Sequence, residues 1–214
     1  MGTKTEPAMG NDLPDLDTPK GRIVAAALKL FAESGYHAVS VRDIAREVGI
    51  KDASIYSHFA SKDEILETII ERFRVTFDSS IPDVAAFDDI FRVCAPRSFL
   101  QKGFSLFQER LKDKTMAQTY FVLIRERFDN PLAAKAWDAH RDKCVRYVAD
   151  ALLAMMRKGL IPERDAPLLA RMYEYPHFLM MEDYVVGLCR GRDIAAIESE
   201  FRSHIDAFVD LVGK

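Results

Sequence analysis

From Lys20 onward the large apolar residues of this chain recur at steps of three and four, and no segment sustains an apolar/polar alternation. That period lays side chains along one stripe of an α-helix and does not suit a half-buried strand, so it predicts an all-α fold of about nine helices. A first helix over 20–34 carries Ile23, Ala27, Leu30 and Phe31 on one face and stops at Gly35. A second starts at Ser40, with Asp43 where a capping-box acid belongs, and ends at Gly49. A third covers 52–59. The fourth opens on Ser61-Lys62-Asp63-Glu64 and runs Ile65, Ile69, Phe73 and Phe77 along one side. Longer helices follow over 88–112 with a bend at Pro96, then 115–128, 132–158, 165–188 and 193–212.

Composition narrows the class further. With 49% hydrophobic and 29% charged residues in 214, the chain has the content of a packed core rather than of a disordered polymer. Residues 1–19 differ: one lysine stands against Glu6, Asp12, Asp15 and Asp17, with three prolines, which reads as a disordered acidic tail. No stretch has the run of uncharged apolar residues that a spanning helix needs, nor does the beginning resemble a signal peptide, so the expected location is cytoplasmic. Cys94, Cys144 and Cys189 fit neither a disulfide framework nor a zinc spacing and are expected to be buried thiols. A net charge of −3 supplies no overall attraction to nucleic acid, so such a partner must be read from local residues.

The short second and third helices provide those residues. Two helices crossing tightly need a small side chain at the contact, which Ala45 supplies, and Gly49 suits a turn that takes positive φ. Ile44, Val48, Ile50 and Ile55 then fall inward. Lys51, Ser54, Tyr56, Ser57 and His58 point outward, and all can hydrogen-bond phosphates or base edges.

The run Gly35-Tyr36, Ser40-Val41-Arg42-Asp43-Ile44-Ala45, Val48-Gly49-Ile50, Ser54-Ile55-Tyr56-Ser57-His58-Phe59 and Ser61-Lys62-Asp63-Glu64-Ile65-Leu66 resembles the DNA-binding domain of TetR-family transcriptional regulators. The resemblance implies that residues 20–66 form a helix-turn-helix domain and 67–214 a ligand-binding and dimerisation domain. It also implies that 51–58 is the recognition helix, with phosphate contacts from Ser40, Tyr56, His58 and Lys62 and a further DNA contact at Arg42. Many members have Ser-Lys-Gly or Ser-Arg-Ala after the turn, where this chain has Lys51-Asp52-Ala53; Asp52 repels phosphate unless it caps the helix. Residues 20–64 hold seven Lys and Arg against six Asp and Glu, a net of +1, so specific binding would rely on two copies.

The second part is rich in aromatic and Met residues, and a pocket lined by Phe77, Phe104, Phe107, Met116, Tyr120, Trp137, Met155, Tyr173 and His177 is expected. Tyr120, Trp137 and Tyr173 each bring a polar tip that can orient a ligand. Glu174 and His177 form a Glu-x-x-His pair, but di-iron chemistry needs a second such pair, and Pro176 lies between them; a polar pocket contact is the reading, with no metal and no cofactor. Ile194, Ile197, Phe201, Ile205 and Phe208 recur along the last helix, and the family's use of its last two helices marks them as a homodimer seam.

The expected function is a ligand-responsive repressor, not an enzyme, released from a palindromic double-stranded DNA operator by a small apolar or aromatic effector. The rivals are an all-α enzyme or metal–carboxylate bundle, for which no nucleophile–base set or phosphate loop is present, and a dimeric adaptor that does not touch DNA.

Overall fold

The structure, a computed structural model, describes residues 17–79 and 81–213; most of the acidic segment lies outside the described residues. Ten α-helices and one 3-10 turn follow one another, with no strand among the described residues. They are α1 (Pro19–Ser34), α2 (Val41–Val48), α3 (Asp52–Tyr56), α4 (Lys62–Asp78), α5 (Phe87–Val93), α6 (Pro96–Leu111), α7 (Lys114–Glu126), α8 (Pro131–Arg157), α9 (Ala166–Cys189) and α10 (Ala195–Val212).

Local chemistry sets the first four. Thr18 accepts from the Gly21 amide and Pro19 opens α1, while Ser40 and Asp43 complete a reciprocal capping box on α2. Gly49 then turns the chain at φ 78°, ψ 32°, a left-handed conformation that costs a residue with a Cβ roughly 1 kcal/mol or more. Ile23, Phe31, Ile44, Ala45, Ile55, Phe59, Ile65 and Leu66 close into one apolar core, and Val122 of α7 completes it. A larger core gathers the remaining helices, and α4 is shared: Ile69 belongs to the first core and Phe73 to the second.

One expectation is corrected. The bent helix over 88–112 is two helices, because Cys94 and Ala95 are both extended ahead of Pro96, and a 3-10 turn (Val84–Ala86) capped by Asp83 precedes them. This raises the number of helices above nine.

The residues expected at a homodimer seam lie against the chain's own core. Phe201 and Ile205 are fully buried and Phe208 nearly so, all inside a single chain. Phe201 stacks on Phe104 at 4.2 Å and Phe208 meets Tyr173 at 4.9 Å, while Ile194, just ahead of α10, and Ile197 are half-buried against the same core. A periodic stripe says that a face is buried, not by which chain. The stripe left open lies on α9, where Leu168, Met172, Tyr175 and Leu179 are exposed at helical steps of four, three and four.

Candidate functional site

A cavity of about 250 Å³ lies among the C-terminal end of α4, α5, α6, α8 and α9. Of the residues expected to line a pocket, it brings together Phe77, Phe104, Phe107, Tyr173 and His177. The other four lie elsewhere. Tyr120 is in the core with its Oη 2.6 Å from His140 Nε2, and Trp137 packs edge-on against Tyr120. Met155 is core, and Met116 borders a small recess beside α1. An aromatic with a polar tip can satisfy it inside the protein, as Tyr120 does, and then has no free group to offer a ligand.

The charged residues of the lining fall into two groups. Lys102, Arg110 and Lys143 are exposed or half-buried; Arg110 covers the Phe77 ring at 5.3 Å, and Lys143 pairs with Asp78. Glu174, by contrast, is buried, and burial alone pushes its carboxyl up to about 8. His177 is buried beside it, and burial, with the nearby His204, pushes its imidazole down to about 3. α9 runs unbroken through Pro176, so the two residues stand one turn apart on one face. No group of three or more potential metal ligands occurs among the described residues.

At the other end of α4, α2 and α3 form the turn expected of a helix-turn-helix. Gly49 accepts the turn, its amide donating to Ala45 O at 3.0 Å, and Ile55 is buried beneath α3. Tyr56 is 58% exposed, with Lys51 and Ser57 also in the open and Ser54 and His58 half-exposed. Asp52 does not cap α3; it pairs with Arg42 Nε at 3.1 Å, an exposed bridge between the two helices of at most about 1 kcal/mol. Two expected phosphate contacts are engaged internally. Ser40 Oγ donates to Asp43, and Lys62 Nζ donates to the carbonyls of Tyr36 and Val39, both at 2.8 Å, while lying 4.0 Å above the Tyr36 ring. Burial pushes the Lys62 ammonium down from its ordinary range.

Residues 23–69 match the family model of bacterial regulatory proteins of the tetR family. This segment is thus similar to the DNA-binding domain of TetR-family regulators. Within it, 40% of 58 residues are identical to the transcriptional repressor KstR2 of Mycobacterium tuberculosis, spanning 27% of this chain and 29% of that one. HbdR, a transcriptional regulator of Aromatoleum, shares 38% over 61 residues, 28% of this chain and 27% of its own. The aligned stretch thus spans less than a third of these curated relatives. Over the whole chain the likeness is one of fold: a solved KstR2 structure has a TM-score of 0.62 at 20% identity, covering 94% of this chain and 97% of that one. A regulator from Saccharomonospora viridis, solved in complex with choline, has 0.62 at 23%, covering 89% and 95%.

What the TetR-like sequence signature did not point to is how its domain is held. Glu126 of α7 accepts the Tyr36 backbone amide at 3.0 Å, Arg125 donates to the carbonyls of Ala32 and Ser34, and Tyr36 donates its hydroxyl to Asp63. A Cβ at Gly35 would stand 2.7 Å from Arg125 Nη2, so this glycine also makes room for the clasp. The partners of Glu126 and Arg125 lie about ninety residues away in sequence, beyond the reach of any local pattern.

Proposed function

We propose that this chain is a homodimeric, effector-responsive DNA-binding repressor. The observation that carries the reading is α4, one continuous helix whose first residue lies under the helix-turn-helix and whose Phe77 lines the cavity. Its seventeen residues span about 25 Å, so a tilt made to admit a ligand at Phe77 moves the reading head at the far end. A second, parallel connection is the α1–α7 clasp through Arg125 and Glu126.

Lys51, Ser54, Tyr56, Ser57 and His58 face the major groove in this reading, Lys51 and Ser54 toward base edges and Tyr56 and His58 toward phosphates. Ser40 and Lys62 shape the surface, Lys62 by holding the carbonyls that precede α2. Arg42 bridges to Asp52 and keeps that carboxylate from standing alone beside DNA. A palindromic operator needs two heads spaced by the groove repeat of about 34 Å, and the open α9 stripe of Leu168, Met172, Tyr175 and Leu179 is the seam we assign to the second copy. An effector that prefers the cavity of one spacing shifts the population away from the other. Being named repressors, relatives such as KstR2 favour release over recruitment.

Selection of bound genomic fragments with the purified protein, read at several salt concentrations, tests the reading. A recovered inverted repeat, bound by a dimer with a steep salt slope, supports it; no sequence enrichment refutes it.

A further inference from the structure

The cavity contains two polar groups for which the protein supplies no counterpart. Glu174 is 6% exposed, and neither a cation nor a hydrogen-bond donor of the protein contributes to the state of its carboxyl. One turn on, His177 Nδ1 is buried with no hydrogen-bond partner. Leaving both unpaired in an apolar interior destabilises the fold, and a ligand that pairs them removes that cost.

Their chemistry selects the ligand group. A carboxyl and a neutral imidazole both offer acceptors, so the complement is a group rich in donors. Rings belong to the same lining: Tyr173 lies 5.3 Å from the His177 ring, and Phe104 and Phe107 stand in the cavity wall. Ring faces beside a carboxylate suit an organic cation. Of the cations of the lining, Arg110 lies over Phe77 and Lys143 pairs with Asp78.

We propose that Glu174 and His177 bind the ammonium group of an apolar organic amine, whose hydrocarbon body fills the aromatic cavity. This assignment rests on reading the cavity as the effector site and specifies its ligand class. The amine enters as its free base and takes the Glu174 proton: the O–H bond breaks, an N–H bond forms, and a carboxylate–ammonium pair results without net charge entering the cavity. Burial disfavours either charge alone, and the opposite charge alongside favours both, so the proton transfer is driven by forming the pair. His177 accepts a second N–H. Tyr173 on the same helix, Cys144 on α8 and Tyr120 on α7 also interact with Glu174; burial pushes all three away from ionisation, so none of them competes for the amine.

Titration calorimetry of the full chain with octylamine, octanol and octanoate tests this, since the three share a body and differ in the head. The expected result is tightest binding for octylamine, by about tenfold or more over octanol, and a loss of about 30-fold for octylamine in Glu174→Gln with octanol nearly unchanged. Octanol or octanoate binding as tightly as octylamine, or an unaltered octylamine affinity in Glu174→Gln, overturns the proposal, as does binding of none of the three. The wild-type series decides even if the variant does not fold. Operator affinity is read in parallel: an amine that binds through Glu174 without altering it leaves the ligand class standing and removes the effector role of the cavity.

Discussion

The side chain of Glu126, on α7, accepts a hydrogen bond from the backbone amide of Tyr36 at 3.0 Å, in the buried contact between the helix-turn-helix domain and the rest of the chain. The amide is that of the residue after Gly35, where α1 has ended and its own ladder provides no acceptor. One carboxylate of α7 therefore completes the backbone hydrogen bonding of the helix-turn-helix segment. Glu126→Ala leaves a buried N–H unpaired and is expected to cost about 1–3 kcal/mol in denaturant unfolding. Glu126→Gln, which keeps an oxygen acceptor, is expected to retain most of that stability; equal losses in the two variants would mean that this bond contributes little.

The two positive-φ glycines of the first domain make a matched pair. A methyl group at Gly49, φ 78°, would meet nothing within 4 Å, so Gly49→Ala is expected to cost about 1 kcal/mol, a purely conformational penalty. Gly35 at φ 89° adds a contact of 2.7 Å with Arg125 and displaces the clasp. Gly35→Ala is therefore expected to be the more destabilising, and thermal unfolding of both variants checks the order.

Placing a charge on α9 or on α10 is expected to have opposite consequences. Phe201→Glu inserts a carboxylate where the native ring is fully buried and stacked on Phe104, so the chain loses several kcal/mol and unfolds rather than dissociating. Leu179→Glu alters a side chain that is 63% exposed and is expected to give a folded monomer with weakened operator binding. Sedimentation combined with circular dichroism separates the two outcomes; an intact dimer for Leu179→Glu places the seam elsewhere.

Lys51 and Lys62 are expected to part ways in salt titrations. Lys51 is exposed at the start of α3, and Lys51→Ala is expected to lower operator affinity and relax preference at one base position. Lys62→Ala releases two carbonyls and is expected to reduce thermal stability while leaving the salt slope of DNA binding nearly unchanged. A slope that falls by about 1 per half-site in Lys62→Ala returns this lysine to the phosphates.

Buried titratable groups give the stability curve a maximum. His140 and His177 are held near 3 when folded, against an ordinary value of 6.5, so the unfolded chain binds more protons over that interval and stability rises with pH. Glu174 is held near 8 against 4.5, so between these values the folded chain binds more protons and stability falls with pH. Two rising contributions against one falling give a net rise up to about pH 6.5, then a fall to about pH 8 at a limiting slope of about 1.4 kcal/mol per unit. In Glu174→Gln the fall above pH 6.5 is expected to vanish. Urea unfolding across pH 5–9 measures both curves, and a fall that persists in the variant assigns it to another group.

The helices and the DNA-binding turn were legible in the chain because their determinants lie within a turn or two of one another. Ser40 caps α2 through Asp43, three residues on, and Gly49 ends it, so neither depends on what packs around it. The split at Cys94–Ala95 was harder to read because the proline marked a disturbance without saying how many residues would leave the helix.

By itself, then, the sequence determined the all-α class, the placement of the helix-turn-helix and the outward donors of α3, all consequences of short-range periodicity and capping. Only the tertiary structure decided which apolar stripe faces the chain's own core, which aromatics surround a cavity, and that Lys62 turns inward. It alone brought Glu126 to Tyr36 and enclosed Glu174 among rings. Hydrophobic periodicity reports that a face is removed from water but carries no information about its partner, and a polar side chain's role depends on whether a distant helix happens to supply its complement.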